Sequence, residues 1–125
     1  MEIPKNLLYT KEHEWAKIEN QIITIGITDF AQSQLGDIIF LELPKLGDSI
    51  SDGEVFGEIE AVKTVSELYS PVSGKVIEVN HLLGDQPQFV NNDCYNDGWL
   101  IKVSTSNRLE YKNLLNPDDY SKLIK

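Results

Sequence analysis

Lys63 is the residue of this chain whose type and setting most invite covalent chemistry. It stands in Glu60-Ala61-Val62-Lys63-Thr64, and Ser70-Pro71-Val72-Ser73-Gly74 follows shortly after. A strand-like run, Glu54-Val55-Phe56-Gly57-Glu58-Ile59, leads in, and another, Thr64-Val65-Ser66-Glu67-Leu68-Tyr69, leads out. That order predicts a lone lysine at the tip of a β-hairpin. The tip lacks the Gly or Asn with which a tight two-residue turn reaches positive φ. A local rule broken at one place marks a functional site. An exposed turn lysine is ordinarily just solvated; this context points instead to an amine that is read and modified.

The elements that must position Lys63 are mostly β. Glu14–Glu19 and Gln21–Gly26 read as two strands joined near Asn20. Thr28 is placed to cap a short helix from Asp29 to Leu35, which stops at Gly36. Asp37–Leu43 reads as a largely buried strand ending at Pro44. An internal echo follows: Gly36–Leu41 leads to Leu46-Gly47-Asp48, and Gly74–Val79 leads to Leu83-Gly84-Asp85. Taken at face value, each unit is a β run followed by a Gly-Asp turn, with Lys63 in the hairpin between two similar halves. The lysine would then sit at one end of a small β-sandwich or flattened barrel. Gly98–Val103 reads as the last strand. Beyond it the pattern turns helical through Leu109, Leu114 and Leu115 up to Pro117. Asn116 caps a final helix with Tyr120, Leu123 and Ile124 as its apolar residues.

Bulk properties narrow the function classes. The 125 residues suffice for one domain, 1–125, with a real core, and 41% of them are apolar. The net charge of −9 and a single arginine, Arg108, argue against nucleic acid, whose phosphates need clustered cations. The acidic surface suits protein partners with basic docking faces. Cys94 is the only cysteine, so no intrachain disulfide forms and a reducing compartment is expected. Met1-Glu2-Ile3-Pro4-Lys5 has neither an apolar signal core nor Arg-rich transit character, and no stretch approaches the length of a membrane span. A bacterial-type cytoplasmic protein is the expectation, and a processed organellar chain would look similar. His13, His81 and Cys94 lack metal spacing, Asp48, Asp52 and Glu54 lack an EF-hand pattern, and there is no nucleophile elbow or phosphate loop. No metal site and no catalytic residue is expected.

Glu-x-x-Lys followed by Leu-Tyr-x-Pro-Val-Ser-Gly resembles a lipoyl attachment hairpin. Biotin carriers instead place the lysine between two methionines, whereas Val62 and Thr64 flank Lys63 here. Thr10-Lys11-Glu12-His13-Glu14-Trp15 resembles the early signature of the glycine cleavage system H-protein family. Gly26–Gln32 with Leu35–Ile38 resembles its next block. Pro87–Asn91 with Gly98–Lys102 resembles its C-terminal block. The likeness covers nearly the whole chain in order. Departures are Ala61 and Thr64 in a block usually reading Glu-Ser-Val-Lys-Ala, Glu67 for the usual Asp, Cys94 for a common proline, and Asn96 for a common glycine. None removes the acceptor. Glu67, being longer, could alter contacts to a bound arm, and Cys94 reads as a small semi-buried thiol.

The resemblance implies a mainly β lipoyl-carrier fold with short flanking helices. It also implies lipoic acid in amide linkage to Lys63, and a shuttle role rather than catalysis. The implied partners are a pyridoxal-phosphate-dependent glycine decarboxylase, an aminomethyltransferase, a flavin-dependent dihydrolipoyl dehydrogenase and the lipoate-attaching enzymes. The family's need to shield a loaded arm from water makes Glu14 and Glu67 candidates for meeting a protonated amine, with His13 and Trp15 shaping the same cleft. Structural roles compete for both: Trp15 is more readily a core residue than a wall of the cleft, while His13 fits either role equally well. Two other readings remain. One is a relay that passes octanoyl or lipoyl groups to 2-oxoacid dehydrogenases through the same Lys63. The other is an H-like binding module that is never acylated.

Overall fold

The computed structural model describes residues 1–105 and 108–125, without the side chains of residues 108–110. Its first hairpin joins β2 (Glu14–Glu19) to β3 (Ile22–Ile27). Asn20 turns the chain there at φ 59, the left-handed region that Asn tolerates better than most residues. A two-residue strand β1 (Leu8–Tyr9) pairs with β2, and β3 pairs on its other side with β9 (Ile101–Ser104). β8 (Gly74–Val79) and β5 (Ser49–Ile50) complete a six-stranded sheet in the order β1-β2-β3-β9-β8-β5. The second sheet is β4 (Ile38–Glu42), β6 (Val55–Ala61) and β7 (Val65–Tyr69), with β6 central. The expectation of a mainly β sandwich with short helices is met.

Alternation along the strands fills two cores. Side chains on neighbouring strand positions point to opposite faces, so Ala16 enters the main core between the sheets while Trp15 enters a second cluster behind β2. The main core joins Ile23, Ile25 and Ile27 of β3 to Ile59 of β6, Leu68 of β7, Val76 of β8 and Val103 of β9. Each such side chain contributes about 1.5–3 kcal/mol by leaving water. The second cluster holds Leu7, Tyr9, Trp15 and Tyr120, all buried. Between the two, Gly26 lies opposite Trp15, and a Cβ there would come within 2.5 Å of the indole ring. The six-membered ring therefore occupies the space a side chain would need.

Short helices close the ends. α1 (Asp29–Leu35) forms as the sequence predicts: Thr28 Oγ1 accepts the N–H of Ala31, and Gly36 leaves the helix at φ 80. The internal echo survives only in part. β4 and β8 lie in different sheets, and Gly47 turns the chain at φ 89 after β4. Gly84-Asp85, however, sits inside a helical turn, α2 (Leu82–Asp85), rather than a Gly-Asp turn. Asn80 Oδ1 accepts the N–H of Leu82 there, and coiling the next residues buries Leu83. The last strand starts three residues later than its sequence pattern predicts. Gly98 is packed too closely on the backbone of α3 (Phe89–Asn92) to extend β9 backward, with Phe89 O 2.5 Å from where its Cβ would stand.

The expected helical stretch before Pro117 is a 3-10 helix over Arg108–Asn113, and the Leu109 side chain falls outside the described residues. Leu115 instead pairs with Tyr9 through two main-chain hydrogen bonds of 2.9 and 2.7 Å. α4 (Pro117–Leu123) then follows, capped by Asn116 Oδ1 on the N–H of Asp119. No helix among the described residues is long and apolar enough to cross a membrane.

Candidate functional site

Lys63 stands at the tip of the β6–β7 hairpin, exposed, and no ion pair or hydrogen bond holds its amine among the described residues. The connection is three residues, Val62 to Thr64, closed by the N–H of Ala61 donating to Thr64 O at 2.8 Å. Outside glycine, positive φ occurs only at His13 and Asn20 among the described residues. The missing turn glycine is thus explained by geometry: the extra residue lets the chain reverse without a left-handed position. Val62 N–H donates to Asp37 O at 3.1 Å, which fastens the tip to the link between α1 and β4.

That link forms one wall of an open groove of about 430 Å³ lined by Ser33 to Asp37 together with Val62 and Lys63. Its volume lies in the range of about 300–1,000 Å³ usual for ligand clefts. Asn91 braces the wall from α3. Its Nδ2 donates to Gly36 O at 2.8 Å and to Gln32 Oε1 at 3.1 Å, and its Oδ1 accepts the N–H of Ile38 at 2.9 Å. Both donors and the carbonyl oxygen of one amide are spent on holding α1 to β4.

Glu67 lies four residues from Lys63 along β7, roughly 13 Å at about 3.3 Å per strand residue. With Val65 and Tyr69 it forms the outward face of that strand. Glu67 is directly opposite Glu58, which is in turn opposite Glu42, so three carboxylates cross the small sheet in a row. Like charges placed this way repel and favour any cation brought near. The charge of the Glu67 carboxylate near the Tyr69 phenol holds that phenol's pKa above its ordinary value.

Glu14 is buried, 1% exposed, and has no cationic partner among the described residues. Oε1 accepts from the Thr10 hydroxyl at 2.6 Å and Oε2 accepts the N–H of Tyr69 at 3.3 Å. Burial pushes its pKa up to about 7, against the pull of these hydrogen bonds. Glu14 and Glu67 thus both act on Tyr69, one through a hydrogen bond to its backbone N–H and one through its charge near the phenol.

His13 and Trp15 lie behind this acidic pair. His13 takes a left-handed backbone at φ 72, and its Nδ1 is 2.9 Å from the Tyr120 hydroxyl. Its ring packs on Phe30 at 4.8 Å, and burial lowers its pKa, keeping the imidazole neutral. Trp15 is 1% exposed and donates from Nε1 to Cys94 O at 3.1 Å, a core placement. Cys94 is buried in the same region, its thiol pushed up to about 12 by burial. His81 is an exposed residue before α2, and no group of three metal-ligating side chains exists among the described residues.

Thr10, Asn91 and Tyr120 carry no chemistry that a sequence pattern exposes. Asn91 stands inside a recognised block, and that was its one signal. Tyr120 reads only as an apolar position of the last helix.

A profile described as Glycine cleavage H-protein matches residues 7–125. The chain belongs to the glycine cleavage H-protein family. It is 57% identical over 122 residues to the glycine cleavage system H protein of Carboxydothermus hydrogenoformans, covering 98% of this chain and 94% of the relative. The corresponding Staphylococcus epidermidis protein is 51% identical over 124 residues, covering 99% and 98%. A crystal structure of a glycine cleavage system H protein from Mycobacterium marinum superposes with a TM-score of 0.86 at 36% identity, covering 96% of this chain and 97% of that one. The resemblance inferred from the sequence motifs is borne out. As an H protein the chain is a non-catalytic carrier component of the glycine cleavage system.

Proposed function

We propose that Lys63 of this H protein carries lipoic acid in amide linkage, and that Glu14 and Glu67 receive the positive end of the loaded arm. The observation that carries the reading is an exposed amine at a pinned hairpin tip, beside an open groove, in a chain of this family. The residues present fit the group. The amine is accessible to a modifying enzyme, and the groove leaves room beside it.

Lipoic acid supplies a reducible disulfide on a flexible tether, which accepts and releases the aminomethyl group. Everything else is the work of this chain. Asp37 O fixes the tip so that the tether starts from one point. Tethering raises the local concentration of the arm at each partner. Glu67, with Glu58 beside it, offers negative charge on the strand face leading away from Lys63. Glu14 offers a carboxyl in a dry setting, where an ion pair is stronger than in water. A cation arriving there pulls the Glu14 pKa down from about 7, so the carboxyl gives up its proton as it gains its partner. His13 contributes by turning the chain so that Glu14 faces inward, while Trp15 belongs to the second core. The partners are the pyridoxal-phosphate-dependent glycine decarboxylase, the aminomethyltransferase, dihydrolipoyl dehydrogenase and a lipoate-attaching enzyme.

The test is intact mass spectrometry of the chain from its own host, with peptide mapping around Lys63. A lipoyl-sized increment on Lys63, absent in Lys63→Arg, is the expected result. An unmodified Lys63 in cells whose other lipoyl proteins are modified would overturn the reading.

A further inference from the structure

The Tyr120 hydroxyl, on the last helix, is bonded at once to the residue before Glu14 and to the N-cap of α1. It lies 2.9 Å from His13 Nδ1 and 2.7 Å from Thr28 Oγ1. One direction of hydrogen bonding satisfies every group. Thr28 donates its hydroxyl proton to Tyr120, and Tyr120 donates to the neutral His13 ring. Thr28 Oγ1 still accepts the N–H of Ala31 at 3.1 Å. The Tyr120 ring is stacked on Tyr9, centroids 4.6 Å apart, so the hydroxyl is aimed by a rigid support.

Each branch ends at the site. Thr28 is the N-cap of α1, and the far end of α1 lines the groove beside Lys63. His13 holds a left-handed backbone that turns the next residue, Glu14, inward onto the N–H of Tyr69. The backbone closes the loop between the branches, because Thr28 N–H donates to His13 O at 3.0 Å. Such a fixed arrangement is what a supporting shell gives to a site.

We propose that Tyr120 is a positioning residue: its hydroxyl sets the aim of Glu14 through His13 and the seating of α1 through Thr28. The C-terminal helix is thereby part of the arm's shelter rather than a mere cover for the second core. This rests on the function proposed above, and the two are tested separately.

The experiment compares Tyr120→Phe with the parent. The ring and its stacking on Tyr9 are kept and only the hydroxyl is removed. The first readout is amide hydrogen exchange of the full, unmodified chain. The N–H groups of Tyr69 and Ala31 are expected to exchange about tenfold faster, the loss of roughly one hydrogen bond each. The N–H groups of Ile25 and Val103, in the sheet interior, are expected to change less than about twofold. A purely structural role would speed all four together. The second readout is loss of the aminomethyl group from the lipoylated protein, expected to be about tenfold faster. Thr28→Ser, which keeps a hydroxyl, should behave as the parent, and Thr28→Val should loosen Ala31.

Unchanged protection at Tyr69 and Ala31, or an equal increase at all four amides, overturns the proposal. So does an unchanged rate of loss in a protein whose amides do loosen locally. If instead Lys63 carries no lipoyl group, the exchange experiment still decides whether Tyr120 aims Glu14. The failure then belongs to the carrier reading of Lys63 alone.

Discussion

Glu14 Oε2 accepts the main-chain N–H of Tyr69 at 3.3 Å, so one buried carboxyl ties the first residue of β2 to the last residue of β7. The two strands belong to different sheets. The contact therefore joins the halves of the sandwich at the point where the second acid, Glu67, reaches the same tyrosine.

The pH dependence of stability follows from that burial. The Glu14 pKa is raised from 4.5 to about 7 on folding, so the folded state binds its proton more tightly than the unfolded chain does. The stabilisation is fully present below pH 4.5 and is lost as pH rises through about 7. Glu14→Gln, which keeps the shape without the charge, should match the parent near pH 4.5. At pH 8 it should exceed the parent by about 1–3 kcal/mol. Urea unfolding at the two pH values measures this. A parent that gains stability relative to the variant on going to pH 8 would refute the assignment.

Removing Glu14 should cost shelter rather than modification. Glu14→Ala is expected to accept a lipoyl group on Lys63 as the parent does, since Glu14 is at the opposite end of β7 from the hairpin tip. Its aminomethyl load should then be lost about tenfold faster, the worth of one charged contact of roughly 1.4 kcal/mol. Equal hydrolysis rates in variant and parent would remove Glu14 from the site.

Asn91→Ala leaves the N–H of Ile38 and the carbonyl of Gly36 without their side-chain partner. A cost of about 1–3 kcal/mol is expected. The hairpin tip should loosen with it, because Val62 is fastened to Asp37 within the segment that Asn91 braces. Exchange of the Val62 amide, compared with that of Val103, reports the local part of the effect.

The core role of Trp15 is separable from the arm. Trp15→Phe removes the donor to Cys94 O and leaves a void beside Gly26. Stability should fall by about 1–3 kcal/mol, while retention of the load stays within about twofold of the parent, as for sites that share no partners. A large loss of retention with little loss of stability would return Trp15 to the wall of the arm's cleft.

Much of the frame was legible because local rules and tertiary demands agree. Thr28 capping α1, Gly36 ending it, Asn20 turning the first hairpin and Asn116 capping α4 are all short-range hydrogen-bond or backbone requirements. The hairpin around Lys63 was legible for the same reason, although its tip uses three residues where the sequence suggested a tight turn. The reading failed where packing between distant segments overrode a local pattern. Gly84-Asp85 resembles Gly47-Asp48 in sequence, yet burial of Leu83 coils it into a helix. Gly98 and Trp99 continue a strand pattern, yet close packing of Gly98 on α3 delays β9 to Ile101.

The sequence by itself determined the β class, the exposed Lys63 and the family, since these rest on periodicity, turn chemistry and motifs contiguous along the chain. Only the tertiary structure decided which of the candidate residues lie near one another. It brought Glu14 and Glu67 to the same Tyr69, sent Trp15 into a core, and brought Tyr120, 107 residues from His13, onto its ring. Burial and hydrogen bonding between segments far apart in the chain exist only once the two sheets and the last helix have closed, and no local pattern encodes them.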